Sequence, residues 1–99
     1  MYGLIGKMIA AKHQRDALID AILKGVDSMP GCLSYVVAKD AANPDAVWFT
    51  EVWDSKESHE ASLALPAVRA AIERAMPLIA GFEASIVTDP VGGTGLQST

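Results

Sequence analysis

The chain has 99 residues, of which 51% are hydrophobic and 20% charged, and its formal net charge is -4. This length and composition predict one globular domain with a single core. The acidic balance and the lack of a Lys/Arg cluster argue against a nucleic-acid partner. No apolar run approaches the roughly 20 residues that cross a bilayer, so we expect no membrane partner. The single Cys32 excludes an internal disulfide, which favours a cytoplasmic protein.

The first elements along the chain are a strand and an amphipathic helix. The apolar run from Tyr2 to Ala10 predicts a strand, in which Gly3 and Gly6 mark either a bulge or a close approach of another group to the backbone. From Lys12 to Ser28, apolar residues recur at spacings of three and four, which is typical of a helix with one buried face. Pro30-Gly31 is predicted to end this helix.

The middle of the chain predicts a β-hairpin. Two β-rich runs, Cys32 to Lys39 and Val47 to Trp53, flank a stretch of Asp, Asn and Pro. Alternation of side chains places Glu51 and Trp53 on one face of the second strand and Trp48 on the other. Large apolar groups occupy both faces, and the helices of so small a domain cover only one. We therefore expect Trp53 to face the helices and Trp48 to face a partner chain.

A second helical region and a last strand complete the pattern. Asp54-Ser55-Lys56-Glu57 is a capping sequence that predicts a helix start, and Leu65-Pro66 predicts a break in the helix that follows. Pro77 should bend or end the second piece. The apolar residues predicted to be buried on that piece are Leu65, Val68, Ile72, Met76 and Ile79. Phe82 to Thr88 predicts the last strand, which Asp89-Pro90 should end.

This element order predicts an α+β domain of the ferredoxin-like β-α-β-β-α-β type, in which a four-stranded antiparallel sheet carries two helices on one face. The domain is predicted to span residues 1–90. Residues 91–99 are rich in Gly, Ser and Thr, and we expect them to form a flexible tail or an arm on a neighbour. The second apolar face of the sheet favours a homodimer formed through sheet faces.

Several motifs make the sequence resemble the antibiotic biosynthesis monooxygenase domain family, which includes small quinol monooxygenases. They are Met29-Pro30-Gly31-Cys32-Leu33-Ser34-Tyr35, Asn43-Pro44, Glu51-Val52-Trp53-Asp54-Ser55-Lys56-Glu57, Pro66 and the region of Gly81. The resemblance implies a homodimer whose sheets face each other as a dimeric α/β barrel, with a substrate cavity between sheet and helices. It also implies oxidation of a quinol or an anthrone-like polycyclic phenol by molecular oxygen, without a metal or an organic cofactor.

The chain departs from the family pattern after Glu57. Many members of the family read Ala-His-x-x-Ser-Pro-His-Phe there, whereas this chain has Ser62 and Ala67 in place of the two histidines. An alternative function therefore stays open. It is a non-catalytic dimeric module of the same fold that binds a small molecule or acts in a stress response.

Oxygenation without a cofactor needs an aromatic anion in a dry pocket, together with a base, hydrogen-bond donors and aromatic walls. The candidate catalytic residues are His59, Glu51 and Ser62, and the candidate substrate-binding residues are Tyr35, Trp53 and Arg69. Histidine and buried carboxylates are the usual proton acceptors near neutral pH. The structural alternatives are a core position for Trp53, an ion pair between Glu51 and Arg69, and an exposed helical position for His59.

Other reactive side chains give no recognisable motif. His13 and His59 are far apart in the sequence and predict no metal site, and no glycine-rich phosphate loop is present. Cys32 has neither a second cysteine nor a histidine near it in the sequence, so we expect a packed thiol.

Overall fold

The computed structural model describes residues 1–96. The elements are β1 (Tyr2–Ala10), α1 (Arg15–Leu23), β2 (Cys32–Lys39), β3 (Ala46–Trp53), α2 (Lys56–Ser62), α3 (Pro66–Ala75), a single 3₁₀ turn (Met76–Leu78) and β4 (Ile79–Thr88). The predicted β-α-β-β-α-β order is confirmed, with the second helical region divided at Leu65-Pro66 as expected. None of the helices within residues 1–96 is long and apolar enough to cross a membrane.

The four strands form one antiparallel sheet in the order β2-β3-β1-β4. Strand β1 is central and pairs with β3 on one side, where Tyr2 lies opposite Trp53. On its other side it pairs with β4, where Gly3 lies opposite Thr88. Strands β1 and β4, the first and last within residues 1–96, are therefore neighbours, and β2 and β4 form the two edges of the sheet.

The helices cover one face of the sheet and leave the other face open. The core between helices and sheet contains Met8, Ala10, Leu18, Ala21, Ile22, Val47 and Ala75. Glu51 and Trp53 lie on this helix-covered face and are buried. Trp48 and Thr50 alternate with them and lie on the open face, with Ile5 of β1 opposite Thr50. The predicted assignment of the two tryptophans to opposite faces is confirmed.

The two glycines of β1 are places of close approach. The phenyl ring of Phe49 lies over Gly6, where a side chain would collide with it, and Thr88 and Pro90 pack against Gly3 in the same way. The register shifts of β1 occur elsewhere, in its pairing with β4, between Lys7 and Met8 and between Ile9 and Ala10. Of the two alternatives for the glycines, a bulge is therefore wrong and close approach is correct.

Helix α1 is shorter than the predicted Lys12 to Ser28. Its start is delayed because His13 has a φ of 67°, a left-handed conformation that does not fit a helix. Its end comes at Leu23, and the N–H of Gly25 then bonds to the carbonyl of Ile22, a tighter turn than an α-helix makes. Gly25 is needed at this point because the Cβ of Ala71 in α3 packs against it.

The buried stripe of α3 also differs from the prediction. Ala71 and Ala75 are the buried residues of this helix, whereas Ile72 and Met76 are exposed. Small side chains allow α3 to approach α1 closely, and the larger apolar residues are displaced to one side. The register of the helix is therefore set by the contact of Ala71 with Gly25, which a hydrophobic pattern does not reveal.

Three smaller differences concern element ends. The spacing of three residues before Glu57 predicts Asp54 as the cap of α2, whereas the structure has Ser55, one residue later. The Ser55 Oγ accepts a hydrogen bond from the Ser58 N–H at 3.1 Å. Strand β4 begins at Ile79, three residues before the predicted Phe82, because the chain becomes extended as soon as the 3₁₀ turn ends. Residues 91–96 have no helix or strand, and 97–99 of the predicted tail lie outside the described residues. The domain boundary at residue 90 stays a prediction.

Candidate active site around Glu51

Glu51 is a buried carboxylate on the helix-covered face of the sheet, with only 6% of its surface exposed. It lies two residues before Trp53 on β3, so both side chains point to the same face. The indole Nε1–H of Trp53 donates a hydrogen bond of 2.9 Å to Glu51 Oε1. Burial raises the pKa of the Glu51 carboxyl, and the Trp53 hydrogen bond and nearby His59 partly offset this effect. A carboxylate of this kind binds a proton more readily than an exposed one.

His59 lies on α2 beside this carboxylate. Its Nε2 is 3.9 Å from Glu51 Oε1, and its side chain is only 20% exposed. Its imidazole packs between two aromatic rings, 5.4 Å from that of Trp53 and 5.5 Å from that of Tyr2. The predicted alternative of an exposed helical histidine is therefore wrong. Ser55 caps α2 only two residues after β3 ends at Trp53, and this short connection brings His59 back over the strand.

Tyr2 is a residue of this cluster that the sequence did not indicate. It lies opposite Trp53 in the β1–β3 pairing, so both rings are on the helix-covered face. The pairing register of distant strands is needed to place Tyr2 beside His59, and no local pattern provides it. The sequence signal available was the alternation along β1, which assigns Tyr2 to the same face as buried Met8.

Tyr35 lies next to Glu51 across the β2–β3 pair, on the same face of the sheet. Burial, and then the charge of Glu51, raise the pKa of its phenol well above the usual range, so the hydroxyl stays protonated. Burial also raises the pKa of the Cys32 thiol, with Glu51 as the next cause. The Cys32 Sγ lies 3.6 Å from the Ser34 carbonyl oxygen, in keeping with the packed thiol expected from the sequence.

Ser62 and Arg69 are placed differently from the other candidates. The Ser62 hydroxyl is buried and donates a hydrogen bond of 2.6 Å to the His59 carbonyl oxygen, a bond within α2. Arg69 is an exposed residue of α3. Within residues 1–96 it forms no ion pair with Glu51, whose near partners are Trp53 and His59. The alternative of a structural Glu51–Arg69 ion pair is therefore wrong.

A cavity of about 210 Å³ lies between the helices and the sheet. Its lining residues are Met8, Ile22, Gly25, Val26, Tyr35, Val68, Ala71, Ile72, Ala75, Met76, Ile79 and Phe82. Tyr35 belongs both to this lining and to the surroundings of Glu51. The other five candidate residues do not line this cavity. The cluster around Glu51 therefore adjoins the cavity at its Tyr35 end.

A second polar cluster lies on the open face of the sheet. The Lys7 ammonium is 3.0 Å from the Glu83 carboxylate and 3.8 Å from that of Asp40, and it lies 5.2 Å from the ring centroid of Trp48. The Trp48 indole N–H donates a hydrogen bond of 2.8 Å to Asp40, which is the main cause that lowers the pKa of Asp40 well below its usual range. Within residues 1–96, no group of three or more His, Cys, Asp or Glu side chains is suited to hold a metal ion.

The raised pKa of Glu51 predicts a specific dependence of stability on pH. Between the pKa of an unperturbed glutamate, about 4.3, and the higher pKa of Glu51, the folded state binds more protons than the unfolded state. The free energy of unfolding should therefore fall as the pH rises through this range. Glu51→Gln should remove this contribution, and urea unfolding from pH 4 to 7 measures it. The matched control is Glu60→Gln, an exposed position on α2, and parallel profiles for all three proteins would contradict the prediction.

Comparison with known proteins agrees with this architecture. The family model for antibiotic biosynthesis monooxygenase matches residues 1–74. A crystal structure from Chloroflexus aurantiacus J-10-fl that carries the name of this family is 60% identical, with a TM-score of 0.95, and the match covers 97% of this chain and 98% of that one. No match is found among proteins of curated function.

More distant structures with the same family name share the fold. One from Deinococcus radiodurans is 22% identical, with a TM-score of 0.77 over 99% of this chain and 100% of its own. Another from Nitrosomonas europaea is 13% identical, with a TM-score of 0.83 over 93% of this chain and 100% of its own. Since the family model matches most of the chain and a 60% identical structure matches nearly all of it, this chain belongs to the antibiotic biosynthesis monooxygenase family.

Proposed function

We propose that the protein is a monooxygenase that oxidises a quinol or an anthrone-like polycyclic phenol with molecular oxygen and without a cofactor. The observation that carries this proposal is the buried Glu51 carboxylate, with His59 Nε2 at 3.9 Å, beside the Tyr35 end of an apolar cavity. Membership of the monooxygenase family supports the reaction class. The single Cys32, which excludes an internal disulfide, favours a cytoplasmic protein.

The proposed chemistry begins with removal of a proton from the substrate. Glu51 is the base, and the proton of the phenol or the acidic ring carbon reaches it through Tyr35, which lines the cavity and lies beside Glu51 in the β2–β3 pair. The Tyr35 hydroxyl takes the substrate proton and passes its own to Glu51. The resulting anion transfers an electron to oxygen far more readily than the neutral ring. For an anthrone-like CH₂ group, one oxygen atom remains as a carbonyl and the other leaves as water with the two hydrogens. The substrate supplies all the electrons, so the balance needs no external reductant. The apolar cavity keeps water away from the anion.

Oxygen uptake with a panel of reduced quinones and anthrones, with and without a chelator, tests the proposal. We expect uptake with at least one member, unchanged by the chelator, and one oxygen atom from ¹⁸O₂ in an anthrone product. A folded protein that consumes no oxygen with any member of the panel would overturn it. Uptake that the chelator abolishes would overturn the cofactor-free mechanism.

We also propose that the working form is a homodimer joined through the open faces of two sheets, as in a dimeric α/β barrel. Apolar side chains on this face support the proposal, because Val36 and Ile86 are both more than half exposed and Ile5 lies opposite Ile86. Trp48 also lies on this face, where its indole N–H donates a hydrogen bond to Asp40. A second sheet packed against this face would cover the indole ring.

A charge on the open face should separate the dimer. Ile86→Asp should sediment as a monomer, because one carboxylate per subunit would be buried without a partner. The control is Val87→Asp, the next residue of β4, which pairs with Leu4 on the other face and is similarly exposed. Analytical ultracentrifugation measures the result. A monomeric unsubstituted protein, or equal behaviour of the two variants, would contradict the prediction.

A second candidate function is a non-catalytic dimeric module that binds a small aromatic molecule or acts in a stress response. The observation that favours it is that Trp53, His59 and Ser62 do not line the 210 Å³ cavity together with Tyr35. The Ser62 hydroxyl is also engaged within α2. Saturable binding of a phenol or quinone in calorimetry, with no oxygen uptake across the panel, would favour this function over the enzyme.

A further inference from the structure

The cavity between helices and sheet has two unlike ends. Its wall includes Tyr35 of β2 at one edge of the sheet and Phe82 of β4 at the other. Because the strand order is β2-β3-β1-β4 and neighbouring strands lie about 4.8 Å apart, these edges are separated by roughly 14 Å. Among the described residues that line the cavity, Tyr35 is the one with a hydroxyl group. The lining therefore extends across the sheet from β2 to β4, and its hydroxyl-bearing residue is at the β2 end.

The exposed part of the lining is apolar and includes the β4 residue. Ile72, Met76 and Phe82 line the cavity and are 43%, 56% and 66% exposed. Phe82 lies on β4, and Met76 lies in the turn that precedes this strand. The inner wall, by contrast, includes the buried side chains of Met8 and Ile22. The exposed apolar surface therefore continues directly from the cavity, which distinguishes it from scattered surface hydrophobics.

The volume decides how much of a ligand the cavity holds. Pockets for drug-sized ligands occupy about 300–1,000 Å³, and this cavity of about 210 Å³ is smaller. A phenolic ring with its hydroxyl at Tyr35 and the first carbons of a chain fill this space. A longer apolar chain must then lie across Ile72, Met76 and Phe82.

We propose that the ligand is a phenol or quinol that carries an apolar chain, with the ring inside the cavity and the chain extending over these three residues. The identity of the ring rests on the proposed function, whereas the chain is inferred from the cavity and its mouth. In the part of the chain that the structure describes, no Lys or Arg lines the cavity, so a carboxylate in place of the phenol would be buried without a cation. This lining favours a phenol over a fatty acid as the amphipathic ligand.

Titration calorimetry with a series of 4-alkylphenols, from methyl through butyl and hexyl to octyl, tests the proposal. Each methylene that is fully buried should tighten binding about fourfold, and each one on the half-exposed mouth about twofold. These phenols are probes of binding alone and need not be oxidised. Equal affinity for all chain lengths, or loss of affinity beyond methyl, would overturn the proposal.

Substitution of Phe82 locates the chain. Phe82→Ser should reduce the gain from methyl to octyl by at least threefold and leave the affinity for 4-methylphenol unchanged, because the ring lies at the other end. The matched control is Val87→Ser on the same strand, which is 62% exposed and does not line the cavity. Met76→Ser, at a second exposed mouth position, should act like Phe82→Ser. Equal effects of Phe82→Ser and Val87→Ser would overturn the assignment of the mouth.

A separate experiment tests whether the phenol hydroxyl of the ligand lies at Tyr35. Tyr35→Phe should weaken 4-hexylphenol without weakening hexylbenzene, because only the phenol loses a hydrogen-bond partner. Equal weakening of both ligands would overturn the proposed orientation. A clear dependence on chain length together with no oxygen uptake would support this inference while counting against the monooxygenase. Oxygen uptake at a rate independent of chain length would support the monooxygenase and count against this inference.

Discussion

Replacing Glu51 by Gln should lower kcat for oxidation of a quinol or an anthrone by about 10²- to 10⁴-fold, the usual contribution of a positioned general base. The amide keeps the size of the side chain and still accepts the hydrogen bond of Trp53 Nε1–H, but it does not take up the substrate proton. Initial rates of oxygen uptake measure the effect. KM should change little, because Glu51 does not line the cavity that holds the ring.

The control for this prediction is Glu60→Gln, which removes an exposed carboxylate of the neighbouring helix and should leave kcat unchanged. A Glu51→Asp variant should retain intermediate activity, since it keeps a base but withdraws it by one methylene. If Glu51→Gln retains the full rate at neutral pH in a folded protein, Glu51 is not the base. The rate of His59→Ala would then decide whether the imidazole has that role.

Truncation of Trp53 should have the largest effect on stability. Its ring is 1% exposed and is among the largest fully buried side chains of the protein. Trp53→Ala should lower the free energy of unfolding by about 3–5 kcal/mol, the usual range for removal of a buried aromatic ring. A domain of this size is stable by about 5–15 kcal/mol, so the variant should be close to unfolding at room temperature. Urea denaturation followed by circular dichroism measures the loss.

The matched variant is Trp53→Phe, which keeps an aromatic ring and removes the indole N–H that binds Glu51 Oε1. This variant should lower the free energy of unfolding by about 1–3 kcal/mol, because the buried Glu51 carboxylate then lacks its hydrogen-bond donor. Part of this cost should disappear at acidic pH, where Glu51 is protonated. A loss below about 1 kcal/mol for Trp53→Ala would show that the ring is not a core element.

The hairpin and the two faces of its sheet were predictable because alternation along Val47 to Trp53 fixes which side chains share a face. That pattern alone places Glu51 with Trp53 and apart from Trp48. The limits of α1 were not predictable in the same way. They depend on the left-handed backbone at His13 and on the contact of Gly25 with Ala71, which joins two distant parts of the chain.

The candidate site shows the same division. Glu51 and Trp53 are brought together by one strand, and His59 follows a short capped connection, so local patterns indicated all three. Tyr2 required the register of β1 against β3, which is a tertiary property. The hydroxyl of Ser62 was a plausible proton donor by residue type, but a helical backbone offers it a nearer acceptor in the His59 carbonyl oxygen.

The central position of β1 has a consequence for the order in which the chain folds. Residues 2–10, which are synthesised before the other strands of the sheet, lie between β3 and β4, residues 79–88. Pairing of such distant segments loses the conformational entropy of the loop between them before the strands form any contact. Folding of this topology is therefore slower than that of a helical bundle. A nascent chain can close the hairpin on the ribosome, but it completes the sheet only after its final strand has emerged. Until then, the edge of β1 stays open to pairing with other chains.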